Sequence, residues 1–360
     1  MIPYLKQFFL FLRYCNDVRE PIPNSVDQMD WDRLFRFCTE QALLGISYKG
    51  IERLSIEGIR PQKKTLLTWY AAYEAIVERN CLLGKKTIKI IEDFRKGGFC
   101  CVVLKGQGNA LMYPYPQART SGDVDIWVKS NKQKAKRKDV IRFVRSRFKV
   151  INVRYHHVEF VEDGITIEAH YVPLMMNNPF YNNRLQRWLK DSFESELVNL
   201  NGLGKVELPT AESNLVYQLA HMMHHFFDEG LGLRQVMDYF FLIHNPQFME
   251  YDYQDTLEYL GLKKFAGALM WVEHEVFGLE ERYLIVPANE WRGRTLLDEI
   301  LKGGNFGQYS GLTKRGMVAK YFLKIRRNMR FVLQYPAEAL CEPFFRTWHF
   351  FWRIKYKKIC

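Results

Sequence analysis

Two aspartates one residue apart, Asp123 and Asp125, stand at the head of the run Val124-Asp125-Ile126-Trp127-Val128, whose apolar, β-prone character predicts a strand. The period of a strand is two, so both carboxylates point to one face. Two like charges side by side are costly unless a cation lies between them, and hard divalent ions such as Mg²⁺ choose carboxylate oxygens. The expected occupant is a metal ion.

The residues on either side fit the same chemistry. Upstream, Cys100-Cys101-Val102-Val103-Leu104 reads as a short strand that stops at Lys105-Gly106-Gln107-Gly108-Asn109-Ala110-Leu111. Gly106 and Gly108 let the backbone turn sharply and approach a ligand, and Asn109 to Met112 can start a helix whose free N–H groups face phosphate. Downstream, Ile165-Thr166-Ile167-Glu168-Ala169-His170 repeats the acidic arrangement on another strand. A third carboxylate from a neighbouring strand is what a two-metal site requires, one ion activating an attacking hydroxyl and the other holding a triphosphate and its leaving group. Asp123, Asp125 and Glu168 fit that set.

Around this centre the texture changes twice. From Met1 to about Gly97 the apolar spacing is helical, as in Leu66, Trp69, Tyr73, Ile76 and Val77, and Gly97-Gly98 stops the run. Strands are predicted at Val150–Val153, His157–Val161 and Ile165–His170, with hairpin chemistry at Glu162-Asp163-Gly164. Beyond Pro173 helical periodicity returns: Thr210 caps a helix running to about Phe227, Gly230 and Gly232 break it, and another begins at Leu233. Within the first of these, His221 and His225 are four apart, a spacing suited to a metal, but no nearby acid completes a site.

The formal net charge of +12 is concentrated in two segments. Residues 129–149 carry ten basic residues and one acid, read as an amphipathic helix with Val140, Phe143, Val144 and Phe148 on its inner side. Residues 314–360 interleave twelve basic residues with aromatics, a mixture suited to stacking bases, to lying on an anionic membrane surface, or to a packed helix with a basic rim. With 48% hydrophobic residues the chain has ample core material, which excludes a disordered or low-complexity protein. No window reaches the roughly 20 apolar residues of a membrane helix. Phe8 to Leu12 is too short for a secretory leader, and seven cysteines without C-x-x-C spacing suggest free thiols, so a cytoplasmic protein without a zinc site is expected.

The stretch from about Asn80 to Tyr171, with Val103-Leu104-Lys105-Gly106, Tyr113-Pro114, Arg119, Gly122-Asp123-Val124-Asp125-Ile126 and Ile167-Glu168-Ala169-His170, resembles the uncharacterised nucleotidyltransferase family of bacteria, within the DNA polymerase β-like superfamily. Phe35 to Leu54 and Gly232-Leu233-Arg234-Gln235-Val236-Met237-Asp238-Tyr239 resemble it too, about two thirds of the chain in all. The resemblance implies an α+β fold, a small mixed-sheet palm flanked by N-terminal and C-terminal helical regions. It also implies Asp123 and Asp125 as ligands of two Mg²⁺ ions, with Mn²⁺ the alternative, Glu168 as third carboxylate, and Gly106 and Gly108 as the triphosphate loop. Superfamily members usually carry Gly-Ser or Gly-Gly after the first strand. Here Gln107-Gly108-Asn109 follows Gly106, which leaves Lys105 to meet the phosphates as a point charge.

Arg119 is expected either at a phosphate or paired with Asp123 or Asp125, and His170 either orients Glu168, contacts the acceptor or is structural. By the family likeness Arg234 and Asp238, four apart on a helix, contact the nucleotide. The expected division is a helical region at 1–80, a palm at 81–175 and a second helical region at 176–360. The expected activity is Mg²⁺-dependent transfer of a nucleoside monophosphate from an NTP to an acceptor hydroxyl on a small molecule, RNA or protein. The rival is a non-catalytic basic module for nucleic acid or an anionic membrane surface.

Overall fold

A computed structural model describes residues 3–130, 133–244, 252–310 and 317–356. The chain opens with four helices, α1 (Pro3–Asn16), α2 (Trp31–Glu40), α3 (Leu44–Ile56) and α4 (Lys63–Lys96). Asp30 starts α2 by accepting from the Arg33 amide at 3.0 Å, and Gly98, at φ +82°, takes the left-handed conformation that ends α4. Next come β1 (Cys100–Val103), the single turn α5 (Gln107–Ala110), β2 (Val124–Ser130), β3 (Gln133–Lys134), α6 (Arg137–Arg147), β4 (Lys149–Val153), β5 (His157–Glu162) and β6 (Ile165–His170). They are followed by α7 (Pro179–Asp191), β7 (Ser195–Asn199), β8 (Lys205–Pro209), α8 (Ala211–Asp228) and α9 (Leu233–Ile243). The last elements are α10 (Gln254–Tyr259), α11 (Lys263–Phe277), α12 (Glu290–Gly303), α13 (Met317–Met329) and α14 (Pro336–Tyr356). No described helix is long and apolar enough to cross a membrane. The six described cysteines are all free thiols.

The mixed sheet with flanking helices is the expected α+β class, but the chain does not divide in sequence order. One unit comprises Met1–Asn80, Met112–Thr120 and Asp228–Leu323; the other comprises Cys81–Leu111, Ser121–Phe227 and Lys324–Cys360. Side-chain anchors account for the two excursions. Asn80 Nδ2 donates to the carbonyls of Gln117 and Arg119 at 2.8 and 2.7 Å, which ties residues 112–120 into the first unit. Asn328 on α13 donates to the Phe227 carbonyl at 2.8 Å, and Glu338 on α14 accepts from the amides of Asn177 and Asn178 at 2.8 and 3.1 Å, which ties the C-terminal helices into the second.

The first unit is helical, with Phe8, Phe11, Trp69, Tyr239 and Phe265 fully buried. Arg13 of α1 donates to the carbonyls of His274, Glu275 and Val276, so its positive charge lies on the negative end of α11.

The second unit is built on one sheet of order β4-β5-β6-β2-β1-β8-β7, with β3 pairing on β2. β2 runs antiparallel to β1 and parallel to β6, while β8 is parallel to β1. Asp163 and Gly164, at φ +47° and +76°, make the tight β5–β6 turn that the sequence predicts. Val124, Ile126, Val128, Phe160, Ile167 and Ala169 share one core with Ile90 and Phe94 of α4 and Val140 and Val144 of α6.

Two sequence expectations are corrected. The basic segment is helical only from Arg137, because β2 continues to Ser130 and Lys129 lies over the Trp127 ring at 4.1 Å. The stretch after Pro173 contains β7 and β8 as well as helix. Val206 and Leu208 are buried on alternate positions of β8, and Asn201-Gly202 turns the chain back with both residues at positive φ.

Candidate active site

Parallel pairing of β2 with β6 sets Asp125 opposite Glu168 and Trp127 opposite His170. The alternate residues, Val124 and Ile126 against Ile167 and Ala169, go to the core, so the acidic face is fixed by the burial of its opposite. β1 ends beside this face: the Leu104 amide donates to the Asp125 carbonyl at 3.1 Å, and the next residue, Lys105, turns its side chain toward the acids. Lys105 Nζ is 3.2 Å from Asp125 Oδ1. Antiparallel pairing of β5 with β6 then brings His157 opposite His170.

The result is one charged cluster. His170 Nε2 lies 3.1 Å from Asp125 Oδ1 and 3.3 Å from Glu168 Oε2, and His157 Nδ1 lies 3.3 Å from that same Glu168 oxygen. The Asp125 side chain is 1% exposed. Asp123, immediately before β2, is half-buried, and its charge acts on both Lys105 and Glu168.

Burial opposes charge on each of these groups, and the partners decide the outcome. Burial pulls the Lys105 ammonium down, but Asp125 and Asp123 outweigh it and hold the group above its ordinary range. Burial likewise opposes the His170 imidazolium, yet its hydrogen bonds to Asp125 and Glu168 push it up to about 9. Burial raises Glu168, and the His170 hydrogen bond brings it below the usual carboxylate value. His157 goes the other way: burial, then the charge of His170, drives it down to about 2.

Lys105 and His170 therefore offset the carboxylates in place of the cation that the aspartate spacing alone suggests. A divalent ion still fits. The ligating atoms of Asp125, Glu168 and His170 lie within 4.8 Å of one another, and Asp125 Oδ2 is buried with no hydrogen-bond partner.

A second layer consists of residues that sequence reasoning did not connect with the site. His221 Nε2 on α8 is 3.1 Å from Lys105 Nζ and 3.0 Å from His225 Nε2. Burial and then the Lys105 charge keep His221 well below its ordinary value, so it is a neutral acceptor for the ammonium. The Tyr217 hydroxyl is buried and makes no hydrogen bond. His157 was legible in principle: counting equally outward from the Glu162/Ile165 turn sets it against His170.

The glycine loop is organised differently from the expectation. Gly106 has φ +62°, and a Cβ there would meet the Asp123 carbonyl at 3.4 Å, so this residue needs the conformational freedom of glycine. At Gly108 the constraint is packing, since a Cβ would stand 2.9 Å from Leu208 of β8. Asn109 is buried and accepts from Gln218 of α8 at 3.3 Å, which anchors the loop to the helix that carries His221.

Arg119, Arg234 and Asp238 lie in the helical unit. Arg119 grips both oxygens of Asp238 at 2.7 Å, and the Tyr113 hydroxyl donates to Asp238 at 2.7 Å. Burial raises Asp238 and Arg119 more than compensates, leaving it below its ordinary value. Arg234 donates to the Thr120 carbonyl at 3.0 Å, with its guanidinium 5.4 Å from the Phe306 ring.

A family described as an uncharacterised nucleotidyltransferase matches residues 27–278, a span that includes the whole acidic cluster. The chain belongs to this family. No curated protein matches it significantly. Among solved structures, an antigenic nucleotidyltransferase-like protein from Paracoccidioides brasiliensis is similar at 14% identity, over 60% of this chain and 96% of that one, with a TM-score of 0.36. Membership in a nucleotidyltransferase family supports an enzyme that uses a nucleoside triphosphate, its acceptor unknown.

Proposed function

We propose that the sheet unit transfers a nucleoside monophosphate from an NTP to an acceptor hydroxyl and releases pyrophosphate, with two Mg²⁺ or Mn²⁺ ions held by Asp123, Asp125 and Glu168. The observation that carries this reading is the cross-strand pairing of Asp125 with Glu168, which leaves one Asp125 oxygen buried and without a hydrogen bond. When bound, the ions supply Lewis acidity that lowers the acceptor hydroxyl's pKa and offsets triphosphate charge.

The chain's own residues do the rest. Lys105, held by His221, offers a fixed positive charge to the triphosphate, and Gly106 gives the loop its close approach. His170 donates to Asp125 and Glu168 and so fixes both carboxylates in one orientation. Arg119, Arg234 and Asp238 keep a supporting part in this reading, as a buried network that fixes helix α9 and the 112–120 turn. The six described cysteines, all free thiols, suit a reducing, cytoplasmic setting.

Incubation with radiolabelled NTPs and a cell extract tests the proposal. Label should pass to one acceptor fraction with Mg²⁺ present, and the Asp125→Asn variant should lose this by several powers of ten. Full transfer by Asp125→Asn would exclude it.

One observation favours a role for the C-terminal helix alongside this activity. Phe344, Trp348, Phe350 and Phe351 of α14 are exposed, in a segment of twelve basic residues. Exposed rings in a segment whose sequence is rich in basic residues suit peripheral contact with an anionic surface.

A further inference from the structure

Three histidines meet on the side of the cluster formed by β5. His156, His157 and His170 each offer a ring nitrogen, and the three nitrogens lie within 4.8 Å of one another. Their rings are close: 4.3 Å between the centroids of His156 and His157, 5.0 Å between His157 and His170, and 5.8 Å between His156 and His170. The backbone holds them there. β5–β6 pairing fixes His157 against His170, and the His156 carbonyl accepts from the amides of Tyr171 and Val172 at 3.0 and 3.1 Å.

These rings have more hydrogen-bonding capacity than the protein uses. His157 is 3% exposed and neither of its nitrogens makes a hydrogen bond; His156 Nδ1 and His170 Nδ1 are also buried without a partner. Burying polar atoms unpaired costs about 1–3 kcal/mol each, and a single bound ion that takes one nitrogen from each of the three rings would relieve most of that cost.

Converging imidazole nitrogens select a borderline d-block cation, whereas Mg²⁺ selects oxygens. Carboxylates behind ligating histidines commonly fix the rings, and Glu168 stands 3.3 Å from nitrogens of both His157 and His170.

We infer that His156, His157 and His170 form a binding site for one zinc-class divalent ion, adjoining the carboxylate site and sharing His170 with it. This revises the expectation of a chain without zinc, which rests on cysteine spacing and says nothing of histidines brought together by strand pairing. His170 serves both sites, but His156 and His157 have no part in the transfer proposed above, so variants of these two test the zinc site without testing that reading.

The test uses the full-length chain, stripped with a chelator and titrated with Zn²⁺ against a chromophoric competitor in excess Mg²⁺. One equivalent of Zn²⁺ should bind and resist the Mg²⁺. His156→Gln and His157→Gln, which each remove a ligand, should weaken it by at least the roughly tenfold to hundredfold that loss of an outer-shell partner costs, while Asp123→Asn leaves it within about twofold. Circular dichroism checks that the variants fold. A measurement on the unsubstituted chain covers the case in which they do not: bound Cu²⁺ should show hyperfine coupling to several nitrogens in its electron paramagnetic resonance spectrum. An oxygen-only spectrum, Zn²⁺ displaced by Mg²⁺, or binding lost in Asp123→Asn but kept in His156→Gln would overturn the proposal.

Discussion

His170 is the residue on which the acidic centre turns, because it touches both Asp125 and Glu168 and its charge depends on them. Its folded value near 9 stands above the ordinary 6.5, so the native state binds the proton more tightly than the unfolded chain. The stabilisation is fully present below about pH 6.5 and is lost as pH rises through about 9. Its size is on the order of 3 kcal/mol, and the side chain is too buried for solvent to screen much of it. Thermal melts of the metal-free chain should show the gap between wild type and His170→Gln closing over that window; a gap that stays constant would mean that His170 is neutral in the native state. The acids themselves were legible in the sequence, since Asp123, Asp125 and Glu168 stand in local patterns. His221, His156 and His157 were not recognised, because what brings them to the site is cross-strand register and the packing of α8 rather than spacing along the chain.

At the level of elements, strands and helices with strong local chemistry were readable and weakly marked ones were not. The β5–β6 hairpin has its Asp-Gly turn, and α8 and α9 begin at the residues that their Thr and Gly punctuation suggests. β7 and β8 have only a few apolar residues among polar ones, and pairing with the central sheet makes them strands. Two substitutions probe how elements are joined. At Gly45 in α3 a Cβ would stand 2.0 Å from the Ala118 carbonyl, a backbone atom that cannot move aside. Gly45→Ala should therefore cost roughly 3 kcal/mol or more in denaturant unfolding; a loss under about 1 kcal/mol would refute that packing. Glu338 on α14 is pushed up to about 7 by burial, against the opposing effect of the Asn177 and Asn178 amides. Its native state favours the proton, so this contribution is present below about pH 4.5 and lost as pH rises through about 7. Glu338→Gln should flatten that loss, while Glu338→Ala, which orphans two amides, should cost about 1–3 kcal/mol at any pH. Equal pH profiles for Glu338→Gln and wild type would contradict the assignment.

Across the whole molecule, the division into two discontinuous units could not be read from the sequence. Composition shifts mark the start of the sheet near Phe99, but nothing local announces that residues 112–120 leave the sheet unit or that 324–360 join it. Those facts rest on anchors such as Asn80, Asn328 and Glu338, whose partners lie far along the chain. Charge is the other whole-molecule property. Lys138, Arg142 and Arg147 are exposed on α6, outside the strands that carry the acidic cluster. Replacing all three by Gln should change stability by less than about 0.5 kcal/mol per site and leave Mg²⁺-dependent nucleotide affinity intact at high salt. Loss of nucleotide binding in this variant would move the function from the carboxylates to the basic face. The most direct measurement is calorimetric titration of the four NTPs into the full-length chain with and without Mg²⁺, in wild type and in Asp125→Asn. The catalytic reading requires at least one NTP to bind wild type in a Mg²⁺-dependent way, with that dependence gone in Asp125→Asn. Nucleotide binding indifferent to Mg²⁺, or equal in the two proteins, would contradict it.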